Sequence, residues 1–374
     1  MLAFLSVRFI NNCMTMQPWW HPEQYARRKP YLAVRQKVIA AMRGYFAGEE
    51  FAEVETPALQ VMPGGEVHLH AFATELKGPR PGPGRQLYLH TSPEIAMKKL
   101  IVAGVPRLYQ IAHVYRNGEL SSLHQPEFSM CEWYRSGLGG GMFAEIMKDC
   151  VNLVRAAIGS TERKVFSANG MDCDPFKEWE TFTVAGAFAR YANIDLLTTA
   201  PDPLKPDAAL LAAELKRNGF RVSDGDTWDD MFFRVMGENI EPRLGNGKPA
   251  FLIDYPASMA ALARRKEDDP RVAERVELYI CGIELANGFA ELTDADEQLR
   301  RMQADMAQKQ KLYGETWPVD DDFIAALRHG MPDCAGIALG VDRLVMLCAG
   351  AEKIDDVLWA PVITSPLEGE DRKS

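Results

Sequence analysis

Glu277-Leu-Tyr-Ile-Cys-Gly-Ile-Glu284-Leu-Ala-Asn-Gly-Phe-Ala-Glu291 places three glutamates at a seven-residue spacing. That period would suit a helix, but Cys281-Gly282 and Asn287-Gly288 are turn signals that break one. The stretch reads instead as an antiparallel hairpin turning at Cys281-Gly282, with Glu284 opposite Tyr279. Side chains on one strand face alternate, so Glu277 shares that face with Tyr279. Glu277 and Glu284 then lie diagonally across it, about 7–8 Å apart at the backbone. Two carboxylates aimed together repel unless a proton or cation sits between them. Magnesium carrying nucleotide phosphates suits such hard oxygen donors. A solvated strand face is the plain alternative. Three glutamates set among Ile283, Leu285 and Phe289 favour a site.

Working outward, Arg107 to Arg116 and Pro126 to Tyr134 read as a second hairpin with a long polar loop, 117–125, between them. Loops of that length inside compact domains are usually functional. Arg116, at the strand end, could grip a phosphate bidentately. Gly336-Ile-Ala-Leu-Gly340 is a small-residue strand feeding a helix from Val341 to Cys348. Arg343 lies one turn into that helix, where the N-terminal potential favours an anion.

Upstream, residues 31–46 carry apolar side chains at helical spacing, and Gly48 ends the run. Phe51 to Pro57 is a strand stopped by proline. After a Pro/Gly-rich turn at 79–84 and a short strand at 87–90, Ser92 reads as an N-cap with Pro93 at the first helical position. Helical patterns follow at 142–158, 205–218, 227–236, 293–311 and 323–328, with a strand at 250–255. The stretch 160–250 reads as a mostly helical insertion. Hairpins interleaved with helices, rather than alternating βαβ units, predict an α+β domain around an antiparallel sheet flanked by helices. There is no Gly-rich P-loop and no GxGxxG, so nucleotide phosphates need another cradle.

The 374 residues are 47% hydrophobic and 25% charged, an ordinary globular composition, with a formal charge of −10. An acidic chain without a concentrated Lys/Arg run is a poor partner for a phosphate backbone, so no stable tRNA binding is expected. Seven cysteines, none two residues from another, argue against a zinc ribbon or a disulfide framework and for a reducing, cytoplasmic setting. His68 and His70 read as a partly buried strand pair. The apolar start, Met1 to Cys13, is too short to span a bilayer, and Met14 or Met16 could serve as the first residue. No membrane association is expected.

These same residues resemble the class II aminoacyl-tRNA synthetases. Phe51-Ala-Glu-Val-Glu-Thr-Pro57 is similar to their motif 1. Tyr115-Arg-Asn through His124-Gln-Pro-Glu-Phe-Ser-Met-Cys-Glu-Trp-Tyr134 is similar to motif 2, and Gly336-Ile-Ala-Leu-Gly-Val-Asp-Arg343 to motif 3. The segment from Glu284 to Leu292 resembles lysyl-tRNA synthetases in particular, and the resemblance runs from about Tyr31 to Val357. Those synthetases carry an N-terminal anticodon-binding OB domain, for which the residues before Tyr31 are too few. The chain therefore resembles the truncated lysyl-tRNA synthetase paralogues that attach (R)-β-lysine to elongation factor P. Ala338, glycine in the synthetases and alanine in the paralogues, supports this, as does Gly-Met-Pro-Asp-Cys334.

The resemblance implies ATP and Mg2+ as cofactors, with Arg116 and Arg343 as the catalytic cations. It implies Asn117, Gln125, Glu284, Leu285 and Gly340 beside the nucleotide, and Glu277 and Glu284 on the metal. Ser92, Pro93, Glu94, Glu132, Tyr134, Asn287, Glu291 and Ala338 would bind the amino acid, with Glu291 on its distal ammonium. It also implies a homodimer through the apolar face of residues 31–46 and Pro57. The expected division is an extension over 1–30, a catalytic domain over 31–360 and a flexible tail over 361–374. Two departures stand out. Gly118 precedes Glu119 where the family has glutamate directly, and Ala290 replaces the paralogue's histidine. Rival readings are a stand-alone ligase for α-lysine or another acceptor, and a catalytically weak regulator that senses nucleotide or amino acid.

Overall fold

A computed structural model describes residues 17–363 apart from 81, 138–140 and 261. The expectations for most of the N-terminal extension and of the tail lie outside the described residues. Along the chain the elements are α1 (Pro22–Gly48), β1 (Ala52–Glu53), β2 (Leu59–Gln60), β3 (Ala73–Leu76), β4 (Arg85–Leu89), α2 (Glu94–Val102), β5 (Arg107–Tyr115), β6 (Glu127–Ser136) and α3 (Met142–Gly159). There follow β7 (Phe166–Ala168), β8 (Met171–Cys173), β9 (Glu180–Thr183), α4 (Val184–Ala192), α5 (Ala208–Arg217), α6 (Trp228–Val235) and β10 (Ala250–Pro256). The last are β11 (Val272–Ile280), β12 (Ile283–Ala290), α7 (Ala295–Tyr313), α8 (Asp321–Gly330), β13 (Cys334–Gly340) and α9 (Val341–Ala349).

An eight-stranded sheet in the order β1-β5-β6-β13-β12-β11-β10-β9 forms the centre. Its inner pairs are antiparallel, as expected, whereas β1–β5 and β9–β10 at the two edges are parallel. The hairpin turns at Cys281-Gly282, with Glu284 opposite Tyr279. One sheet face is apolar. Cys131, Trp133, Ile337, Leu339, Val276 and Leu278 pack there against α1, α3 and α9. On the opposite face polar residues line a cavity, and apolar clusters with α4–α6 and with α2, α7 and α8 pack against that face on either side of it.

Four expectations need correction. The 160–250 stretch is not simply helical: β7 and β8 form a small hairpin, and β9 joins the central sheet beside β10. Short strands of three or four residues leave too little periodicity to be read locally. The first helix begins at Pro22 rather than Tyr31, running through Pro30, with His21 accepting from the Glu23 N–H as its cap. Its apolar face, assigned above to a two-fold interface, is spent within the chain: Leu32, Val38, Met42 and Phe46 are all buried in the core. His68 and His70 lie on an irregular segment rather than a strand, where they hydrogen-bond Tyr313 and Glu315.

Three elements are pinned by one buried polar network. Arg35 of α1 pairs with Asp342 in the first turn of α9 and donates to Ser129 Oγ on β6 at 2.8 Å. Asp342 also accepts from the Ser129 N–H at 2.7 Å. The carboxylate sits where the helix N-terminus favours negative charge. Removing one partner of such a pair strands the other charge in the core. Arg35→Met is therefore expected to lower unfolding free energy by roughly 3–5 kcal/mol in urea titrations.

Candidate active site

Antiparallel register builds the site. Glu132 on β6 lies opposite Ala338 on β13, Ala338 opposite Asn287 on β12, and Asn287 opposite Glu277 on β11. One cross-sheet row thus carries four of the residues singled out from the sequence. The neighbouring row is Tyr134, Gly336, Phe289 and Arg275. Gly336 is needed because a β-carbon there would sit inside the Tyr134 ring. Both rows floor a cavity of about 590 Å³, ordinary for a small-molecule site.

At one end of the cavity the charges suit a phosphate. Arg116, at the end of β5, stacks its guanidinium over Phe128, 5.2 Å from the ring centre. Arg343 reaches across from α9, donating to the Glu284 carbonyl at 2.8 Å and lying 4.0 Å from the Glu284 carboxylate. A second Arg343 nitrogen donates to His124 Nε2 at 2.5 Å, and His124 Nδ1 bonds Ser121 Oγ at 2.8 Å. Burial, then Arg343 and Arg116, pushes His124 down to about 4, so the neutral ring can accept from the arginine. Glu277 is held by Tyr279 at 2.6 Å and by Arg275 at 2.9 Å. Enclosure in the cavity, then the neighbouring Glu277, raises Glu284 to about 7. That is the signature of two carboxylates lacking a cation. Among the described residues no group of three or more His, Cys, Asp or Glu could hold a metal. A cation here would take its remaining oxygens from a ligand, as magnesium on phosphates does.

At the other end three carboxylates converge. Glu132 accepts from Ser92 Oγ at 2.6 Å and from Tyr134 Oη at 2.5 Å. Ser92 Oγ in turn accepts from the Glu94 N–H at 3.1 Å, but Pro93 rather than Ser92 takes the N-cap position of α2, one residue later than expected. Burial and the nearby Glu94 push Glu132 up to about 7. Burial pushes Glu291 up to about 8, although Lys98 opposes it. Lys98 is the residue that the sequence reading missed: it pairs with Glu94 one helical turn earlier and lies 2.5 Å from Glu291. Its i,i+4 spacing from Glu94 was the available signal. Among the described residues Glu291 Oε1 has no hydrogen-bond partner. An amino group is the natural donor to it.

The other assigned residues divide. Ser92, Glu94, Arg116, Tyr134, Leu285, Gly340 and Arg343 line the cavity with the rows above. Gly118 turns with φ 85°, which brings Glu119 into the wall, 3.6 Å from Arg116. Asn117, Gln125 and Pro93 are absent from the wall. The Asn117 N–H bonds the His70 carbonyl at 2.8 Å. Gln125 is turned away, donating to Asp355 at 2.6 Å and the Ile363 carbonyl at 3.1 Å. Pro93 serves as backbone, initiating α2.

The family model of the tRNA synthetases class II (D, K and N) matches residues 23–364. The chain belongs to this family. It is a class II synthetase-type ligase, and its relatives narrow the group. The elongation factor P–(R)-beta-lysine ligase of Yersinia enterocolitica serotype O:8 / biotype 1B is 40% identical over 331 residues, 88% of this chain and 94% of that protein. The protein of the same name from Photorhabdus laumondii subsp. laumondii is 40% identical over 327 residues, 87% and 93% of the two chains. Among the described residues no helix is long and apolar enough to cross a membrane.

The raised carboxylates give this end of the cavity a pH dependence. At low pH Glu132 and Glu291 hold protons that an incoming ammonium must displace. Binding of a diamino acid should therefore strengthen as pH rises from about 6 to about 8.5, measured by calorimetric titration.

Proposed function

We propose that this chain activates (R)-β-lysine with ATP as an aminoacyl-adenylate and transfers it to the ε-amine of a lysine on elongation factor P. The observation that carries the reading is the polarity of one cavity, with two arginines at one end and three carboxylates at the other, the half-buried Glu94 and the buried Glu132 and Glu291. A diamino acid fits that polarity with its ammonium groups among Glu94, Glu132 and Glu291 and its carboxylate toward Arg116. The acceptor and the β-isomer are supported by the names of the relatives and by Ala338, which stands between Glu132 and Asn287.

In the first step a carboxylate oxygen attacks the α-phosphorus, the bond to the bridging oxygen breaks, and pyrophosphate leaves. Arg116 and Arg343 offset the charge that grows on the phosphates, with His124 and Phe128 holding the two guanidiniums in place. Glu277 and Glu284 would hold Mg2+, which supplies further charge neutralisation on the phosphates. Their oxygen donors suit that ion, and the raised Glu284 calls for a cation. Glu119, in the wall beside Arg116, would take over the part of the glutamate that the family has directly after Arg-Asn. In the second step the neutral acceptor amine attacks the adenylate carbonyl, AMP leaves, and the amine gives up one proton to form the amide. No protein nucleophile takes part. A homodimer would use what α1 leaves outside, such as Ala33, Lys37 and Ala40, together with the exposed Pro57.

ATP–pyrophosphate exchange tests the activation step, and intact mass of elongation factor P after incubation tests the transfer. Exchange with (R)-β-lysine is expected; none with any lysine isomer overturns the reading. Arg116→Ala and Arg343→Ala should each lower the exchange rate about 100- to 1,000-fold. Ala338→Gly removes a methyl group from the pocket floor and should shift preference toward α-lysine, read as the ratio of kcat/KM values for the two isomers.

A further inference from the structure

Lys98 is the one cation among the three carboxylates at the amino end of the cavity. Its side chain is 1% exposed, as is that of Glu291. The ammonium also lies over the Phe289 ring, 5.1 Å from its centre, so it has little freedom to leave. Burial alone would favour a neutral lysine, but the adjacent Glu291 and Glu94 outweigh it and keep Lys98 charged. The strongest charges felt by Glu132, Glu291 and Lys98 are other members of the same quartet with Glu94. The four groups therefore set one another's charge. Once a diamino acid has displaced the carboxyl protons, three carboxylates less one ammonium leave two negative charges for it, and among the described residues Glu291 Oε1 has no hydrogen-bond partner.

We propose that Lys98 is a specificity-determining positioning residue, a built-in counter-ion that leaves the pocket short of two positive charges and so matches it to amino acids bearing two ammonium groups. The proposal deepens the functional reading given above and rests on it for the identity of the ligand. Lys98 does not touch the reacting atoms. It acts through Glu94 and Glu291, holding both toward the cavity and removing their mutual repulsion. A pocket with Glu132 and Glu291 alone would have the same charge, but not the bridge that orients Glu291.

Lys98→Ala should raise the KM for the diamino acid in ATP–pyrophosphate exchange about tenfold or more, with a much smaller change in kcat. The vacated space has the shape of an alkylammonium, so adding n-propylammonium should restore KM in the variant and leave wild type unaffected. A purely structural lysine would give no such amine rescue. Should Lys98→Ala fail to fold, Glu94→Gln/Lys98→Met removes both charges of the pair and is compared with Glu94→Gln alone. Its pocket keeps two carboxylates and no ammonium, so it should bind the diamino acid more tightly than Glu94→Gln does. Calorimetric titration of wild type and variants with the diamino acid alone needs no turnover, so it tests Lys98 even if exchange is absent. An unchanged KM or affinity in Lys98→Ala, absence of amine rescue, or a double variant that binds no more tightly than Glu94→Gln would each overturn the proposal. Absence of exchange by wild type alongside normal diamino-acid binding would instead overturn the activation reading.

Discussion

Strand register is the constraint on which this protein depends. Side chains alternate across a sheet with a period of two, so a slip of one residue moves every group to the opposite face. On β6 the alternation sends Cys131 and Trp133 into the core and Met130, Glu132 and Tyr134 into the cavity. The same division runs through β13 and β11, while on β12 a register shift between the Leu278–Ala286 and Tyr279–Glu284 pairs keeps both Glu284 and Asn287 at the cavity. The apolar half is thus what holds the polar half in place. Burial of Trp133, Ile337 and Leu278 keeps Glu132, Ala338, Asn287 and Glu277 in one row.

Charge is the second organising element, and it is used in two ways. Arg35, Asp342 and Ser129 form a satisfied network whose only neighbours are other parts of the fold. It docks α1 and α9 onto β6, which brings Arg343 over the cavity. The site itself is left deliberately unbalanced. Glu284 is raised by its enclosure and by Glu277, Glu132 by burial and Glu94, and Glu291 by burial. Groups in that condition are stabilised in their charged form when a cation lies beside them. A metal-bound triphosphate at one end and a diamino acid at the other meet that need together.

Much of the site was legible from local pattern. The hairpin turning at Cys281-Gly282 placed Glu277 and Glu284 together because the turn residues and the alternation are both local signals. Arg116 and Arg343 could be singled out because a strand end and a helix N-terminus are visible in sequence. Other features were not legible. Gln125 sits in a motif yet serves Asp355, a residue 230 positions away, and nothing near Gln125 announces that partner. Lys98 looked like one more helical lysine until Glu291 arrived from β12. The first helix was read as starting too late, since Pro30 resembles a boundary and is tolerated here within a longer helix.

The sequence by itself determined the central hairpins, the family, and the glutamates and arginines singled out above that line the cavity. It could do so because turns, periodicity and motif spacing are properties of neighbouring residues. Only the tertiary structure decided the parallel edges of the sheet, the inward use of the α1 apolar face and the charge balance around Lys98. Those depend on which distant groups are buried together, and the cost of burying a charge is set by its neighbours in space rather than along the chain.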